Sequence, residues 1–124
     1  MKGALCGLAV LVVEDEFLVA DLLADALDEA GATLAGMAGT LAEALRLAET
    51  APIDLAVLDW NLGGERSAPV ARLLSRRKVP FVISTGYGTL DEEFAAVPTL
   101  TKPYEPVQLI GALATLAGRT RPTP

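Results

Sequence analysis

The chain has no histidine, one cysteine, and only one tryptophan, two tyrosines and three phenylalanines among its 124 residues. Without histidine there can be no Ser–His–Asp or Cys–His catalysis and no imidazole-ligated metal, and the chain cannot itself carry a phosphohistidine. A single thiol, Cys6, cannot close an internal disulfide; this fits a reducing cytoplasm, with Cys6 expected as a small core residue. Basic residues are also scarce, ten Lys and Arg against 16 Asp and Glu for a net charge of −6, which argues against a nucleic-acid surface. No apolar run approaches the roughly 20 residues a membrane-crossing helix needs, and the N-terminus lacks a signal-peptide layout. Internal repeats and linkers are absent. What the chain has in quantity is aliphatic side chains: 52% of it is hydrophobic, much of that Ala, Leu and Val, enough for one domain with one substantial core.

The stretch from Ile53 to Gly64 (IDLAVLDWNLGG) organises the rest. A short apolar run, Leu55 to Leu58, closed by Asp59 and then a Gly-Gly turn, reads as a central strand buried on both faces. Leu8 to Val13 reads as a second buried strand, stopping at Glu14-Asp15-Glu16. A helix follows to Gly31, with Leu23, Leu27 and Ala30 on its core face and Asp21, Asp25 and Asp28 on a solvated one. Thr33 to Met37 is a weaker strand. Thr40 and Glu43 have capping-box spacing, and Leu41, Ala44, Leu45 and Ala48 mark the buried face of a second helix. Ser67 is placed to cap a third helix with Pro69 in its first turn, and Arg76, Arg77 and Lys78 fall at its end, where cations suit the helix dipole. Pro80 to Thr85 is the fourth strand, closed by Gly86-Tyr87-Gly88. Thr89 and Glu92 are a possible capping box for a fourth helix of at most two turns before Pro98. Thr99 to Thr101 makes a fifth strand, and a last helix from about Pro106 to Gly118 turns Leu109, Ile110, Leu113 and Leu116 inward. The polar residues 119–124 read as a tail. Five strands alternating with five helices predict an α/β fold with a doubly wound five-stranded parallel sheet.

In such a sheet the carboxyl ends of the strands converge on one cleft. They deliver Glu14 and Asp15, then Asp59, then Thr85, with Lys102 from the fifth. Carboxylates gathered there repel one another, by roughly 4 kcal/mol for a pair 4 Å apart at an effective dielectric of 20. A divalent cation relieves this, and an all-oxygen site without His or Cys points to Mg²⁺. Lys102 is a point charge suited to a phosphoryl oxygen, and Thr85 offers a hydroxyl to another. The set matches phosphoryl transfer with Asp59 as nucleophile.

Four pieces, Val12-Val13-Glu14-Asp15-Glu16, Val57-Leu58-Asp59-Trp60-Asn61, Ser84-Thr85-Gly86 and Thr101-Lys102-Pro103, stand in an order that resembles the receiver domain of two-component response regulators over about residues 8–117. The resemblance implies a flavodoxin-like (βα)5 fold and a phosphoryl group accepted by Asp59 from a kinase phosphohistidine. It implies that Asp15 and Asp59 bind Mg²⁺ directly, Glu14 through water and Asn61 through its main-chain carbonyl. Thr85 would turn toward the phosphoryl group and Lys102 would pair with it; Pro103, in the family, often follows a cis peptide bond. Phe81 to Gly88 (FVISTGYG) is similar to a subgroup whose members are often paired with histidine kinases of the HWE or a related class. Most receivers carry an aromatic switch three residues before the Lys; here that position is Thr99, and Tyr87 becomes the switch candidate.

The resulting expectation is a stand-alone receiver in the cytoplasm, a monomer or weak homodimer, not an enzyme beyond its own phosphorylation and dephosphorylation. It would receive phosphate from a histidine kinase or a histidine phosphotransfer protein, and act on a downstream protein or as a phosphate shuttle or sink. Two competing readings are a degenerate receiver that binds a partner without phosphorylation, and an aspartyl-phosphate phosphatase of the haloacid-dehalogenase type. The latter usually wants an acid two residues after the nucleophile, where this chain has Asn61.

Overall fold

The structure, a computed structural model, describes residues 3–86, 90 and 92–120, the last two by their backbone. Its elements run β1 (Ala9–Val13), α1 (Phe17–Glu29), β2 (Thr33–Ala38), α2 (Leu41–Thr50), β3 (Leu55–Asp59), β4 (Asn61–Leu62), β5 (Glu65–Arg66), α3 (Ala68–Arg76), β6 (Phe81–Thr85), a 3₁₀ turn at Glu92–Phe94, β7 (Thr99–Thr101) and α4 (Pro106–Thr120). Five strands form one parallel sheet in the order β2-β1-β3-β6-β7, and β4 and β5 form a separate hairpin. The fold class expected from the sequence is the one observed.

Alternation along the buried strands sends side chains to both faces, which is why these runs are apolar throughout. Leu11, Val13, Ala56, Leu58, Phe81 and Ile83 pack with Ala44 and Ala48 of α2 and Val70, Ala71 and Leu74 of α3. Val10, Val12, Leu55, Val57 and Val82 pack on the opposite face with Leu23 and Leu27 of α1 and Leu109 and Leu113 of α4. Among the described residues no helix is long and apolar enough to cross a membrane.

Three local expectations are corrected. The fourth helix is only the 3₁₀ turn Glu92–Phe94 among the described residues, because Phe94 is the one buried anchor its three residues offer; Thr89 of the expected capping box lies outside the described residues. Ser67 does not cap α3 with its side chain: at φ −86°, ψ 12° it is not extended, so Oγ cannot reach the first free amides and is buried without a partner among the described residues. Its carbonyl instead accepts from the Val70 and Ala71 N–H groups. Arg76 and Arg77 fall at the end of α3 as expected, Arg77 as its C-cap. The Arg77 guanidinium also reaches the neighbouring helix, donating to the Ala48 and Ala51 carbonyls at the end of α2, the latter at 3.1 Å. Cys6 is exposed rather than in the core.

Cys6 belongs to an N-terminal turn in which Leu5 is fully buried and the Leu5 and Gly7 N–H groups donate to the Ala30 and Gly31 carbonyls, satisfying groups that the end of α1 leaves open. Gly31 is required there on two counts. Its φ is +87°, and a β-carbon would stand 3.1 Å from the Cys6 Cα. The turn therefore holds the entry to β1, and through β1 the position of Glu14.

Candidate functional site

The sheet order reverses between β1 and β3, and the crevice outside their carboxyl ends is where such sheets hold ligands. A cleft of about 520 Å³ lies there, with Asp15, Asp59, Asn61, Thr85 and Lys102 in its lining. One oxygen from each of Glu14, Asp15 and Asp59 can be chosen so that all lie within 4.8 Å of one another. The structure thus brings every described residue of the expected site to one place. Tyr87, the switch candidate, lies outside the described residues.

Each acid is set by local backbone. The Glu14 N–H donates to the Ala38 carbonyl, continuing the β1–β2 pairing for one more residue and turning the Glu14 side chain inward, where only 2% of it is exposed. Its Oε2 accepts from the Glu16 N–H at 3.1 Å. Asp59, the last residue of β3, is also buried; its Oδ1 accepts from the Asn61 N–H at 3.3 Å. The exposed Asp15 accepts from the Gly63 N–H at 2.9 Å. Gly63 and Gly64, at φ +56° and +94°, form the two-residue turn between β4 and β5 that a tight hairpin needs, and the Gly64 N–H is held by the Asn61 side chain.

Lys102, which follows β7, donates from Nζ to Asp59 Oδ2 at 2.9 Å and to Glu14 Oε1 at 3.2 Å. Its own N–H is held by the Thr85 carbonyl, and its peptide bond to Pro103 is cis. Thr85, buried at the end of β6, lines the same cleft. Thr99, at the position of the usual aromatic, is exposed and donates its hydroxyl to the Val97 carbonyl at 3.1 Å.

Burial and the hydrogen bond shared with Asp59 push the Glu14 carboxyl up to about 7, with the Asp59 charge adding to the rise and the Glu16 amide and Lys102 opposing it. Burial works against the charge on Lys102, but its bonds and attractions to Asp59 and Glu14 outweigh that and hold its pKa above the usual lysine value. The cluster carries more negative charge than one ammonium can neutralise, and a hard divalent cation fits its all-oxygen donor set.

This sets the pH dependence of stability in metal-free buffer. The folded protein binds the Glu14 proton more tightly than the unfolded chain, whose value is near 4.5. The resulting stabilisation is complete below about pH 4.5 and is lost as pH rises through about 7. The metal-free melting temperature is therefore expected to fall by several degrees between about pH 5 and 7.5, whereas a protein with no raised carboxyl would hold level or gain. Thermal melts across that range, in chelator, check it.

A model described as the response regulator receiver domain matches residues 10–114, and the chain belongs to that family. It is 30% identical over 125 residues to the phosphate regulon transcriptional regulatory protein PhoB of Pseudomonas aeruginosa, spanning 94% of this chain and 54% of that protein. It is 32% identical over 118 residues to the transcriptional regulatory protein PdtaR of Mycobacterium tuberculosis, spanning 90% and 58%. The chain thus spans little more than half the length of these curated relatives. Among solved structures, SdrG from Sphingomonas melonis Fr1 matches with a TM-score of 0.77 at 43% identity, over 91% of this chain and 97% of that one. A CheY-like response regulator receiver domain protein from Methanospirillum hungatei JF-1 matches with a TM-score of 0.78 at 21% identity, over 90% and 94%, and shares the fold.

The β4–β5 hairpin, and with it Arg66 and the contacts of Trp60, was not foreseen. The only signal for it was Asn61-Leu62-Gly63-Gly64, read as a turn without a return strand.

Proposed function

We propose that this domain accepts a phosphoryl group on Asp59 from the phosphohistidine of a histidine kinase or a histidine phosphotransfer protein, and that phosphorylation changes its contacts with other proteins. The observation that carries this is the Asp59 carboxylate, buried at the end of the central strand and bonded to the Lys102 ammonium at 2.9 Å within a cluster of acids. The Asn61 N–H and the Lys102 Nζ each hold one Asp59 oxygen, so the carboxylate plane is fixed before a donor arrives. An Asp59 oxygen attacks phosphorus, the P–N bond to the donor imidazole breaks, and the imidazole leaves with the electron pair. Lys102 follows the new charge onto a phosphoryl oxygen, and the Thr85 hydroxyl donates to another. Asp15, Asp59, the Asn61 main-chain carbonyl and, through water, Glu14 would hold Mg²⁺, which when bound neutralises the carboxylates and the phosphoryl oxygens. Water later cleaves the acyl phosphate to restore Asp59.

Phe17, Leu18 and Leu22 are exposed on α1, which begins directly after the cleft residues Asp15 and Glu16, and they support docking of an apolar partner surface that brings its phosphohistidine to Asp59. FVISTGYG supports a kinase of the HWE or a related class as donor.

Trp60 follows Asp59 and reports on the site. Millimolar Mg²⁺ is expected to quench its emission and raise the melting temperature, and a small acyl phosphate donor should label the protein only with Mg²⁺ present. Asp15→Asn should weaken the Mg²⁺ response at least tenfold and suppress the label with it. A wild type whose emission and melting both ignore Mg²⁺ would remove the metal-dependent reading.

A further inference from the structure

Among the described residues two cations line the cleft, Lys102 and Arg66. Lys102 is paired with Glu14 and Asp59. Arg66 is paired with no carboxylate among the described residues, although Asp15, Glu16 and Asp59 line the same cleft. The acids that matter are already engaged: Asp59 by the Asn61 N–H and Lys102, Glu14 by the Glu16 N–H and Lys102, Asp15 by the Gly63 N–H. The guanidinium rests instead over the indole of Trp60, its central carbon 5.7 Å from the ring centroid.

Its backbone is placed closely. Arg66 stands directly opposite Asn61 in the β4–β5 ladder, and it is the Asn61 N–H that holds Asp59 Oδ1. The tip of that hairpin is tied to Asp15, so β4, to which the strand bearing Arg66 is paired, is held to the acid cluster at Asn61 and again at Gly63. A half-solvated cation–π contact is weak, whereas bidentate charge-assisted bonds from a guanidinium to phosphoryl oxygens are among the strongest available. A phosphoryl group on Asp59 has three terminal oxygens, each able to accept more than one bond, so Lys102, Thr85 and Mg²⁺ together leave acceptor sites that a guanidinium can use.

We infer that Arg66 is a second cationic ligand of the phosphoryl group, its guanidinium leaving the face of Trp60 to bond the phosphoryl oxygens once Asp59 is modified. This rests on the reading of Asp59 as phosphoacceptor. The move also reaches beyond the site. The indole meets Phe94 edge-on, with centroids 5.6 Å apart at 71°, and the neighbouring Glu93 is held to Arg72 of α3 at 2.9 and 3.0 Å. Uncovering one face of Trp60 thus alters the packing of the Glu92–Phe94 turn by a route that needs no aromatic at position 99.

Beryllofluoride with Mg²⁺, a stable mimic that binds a phosphoacceptor carboxylate, tests this. In wild type its addition should change Trp60 emission beyond the effect of Mg²⁺ alone and shift the Arg66 Nε–H resonance. Arg66→Gln, an exposed hairpin position whose melting temperature serves as the folding control, should bind beryllofluoride about tenfold more weakly and lose the added emission change. Arg66→Lys should recover part of the affinity. An Arg66→Gln protein with wild-type affinity and the wild-type emission change, or a wild type that binds with its Arg66 resonance unmoved, overturns the role of Arg66 and leaves Asp59 in place. A wild type that does not bind beryllofluoride at all overturns both.

Discussion

Asp59→Asn should abolish phosphoryl acceptance while leaving the fold intact. The two side chains have the same shape, and an Asn oxygen can still accept from the Asn61 N–H now 3.3 Å from Oδ1. An amide oxygen, however, is too weak a nucleophile to take a phosphoryl group, so labelling by a phosphorylated kinase should fall to background. The same variant makes a second, independent prediction. Asp59 contributes both a hydrogen bond and a charge to the rise of the Glu14 carboxyl, whereas burial does not depend on it. In Asp59→Asn the Glu14 value should therefore come part of the way back toward 4.5, and the loss of metal-free stability between about pH 5 and 7.5 should shrink without vanishing. Labelling assays paired with thermal melts read both. Undiminished label on the variant would move the acceptor elsewhere.

Lys102→Ala is expected to separate metal binding from phosphoryl transfer. The ammonium lies within 3.2 Å of both buried carboxylates, and only 25% of its side chain is exposed. Deleting it removes a cation that competes with Mg²⁺ for the same oxygens, so Mg²⁺ should bind a few-fold more tightly. It also removes the charge that meets the phosphoryl oxygens in the transition state, a loss of about 100-fold or more in transfer rate. Without its cation Glu14 should be pushed further up, making the metal-free pH dependence steeper. A lysine that merely held the loop after β7 would, when removed, weaken both activities together. Titration of Trp60 emission with Mg²⁺, beside single-turnover transfer rates, distinguishes the two.

The site was legible because its residues sit where simple patterns break. Asp59 and Glu14 each interrupt an apolar run that burial on both faces demands, and Lys102 precedes a proline that cannot continue a strand. Such breaks fix strand ends, and the topology of a doubly wound sheet then brings the ends together. Parts of the molecule decided by a few tertiary contacts were less visible. Nothing in Gly3 to Gly7 forecasts that Leu5 would be buried against the end of α1, or that Cys6 would face outward. Ser67 has the composition of a cap but not the backbone angles, which are set by the hairpin before it. Among the described residues the segment after β6 holds a single 3₁₀ turn at Glu92–Phe94, and Arg66 carries no sequence signal at all, since its placement depends on a two-residue ladder.

The most direct measurement of the central claim is chemical localisation of the phosphoryl group. After reaction with a phosphorylated kinase and Mg²⁺, borohydride reduction converts an aspartyl phosphate to homoserine, which peptide mass spectrometry assigns to a position. Homoserine at position 59, absent when Mg²⁺ is chelated, is the expected result. Homoserine at another aspartate, or a label that resists reduction, would contradict the account.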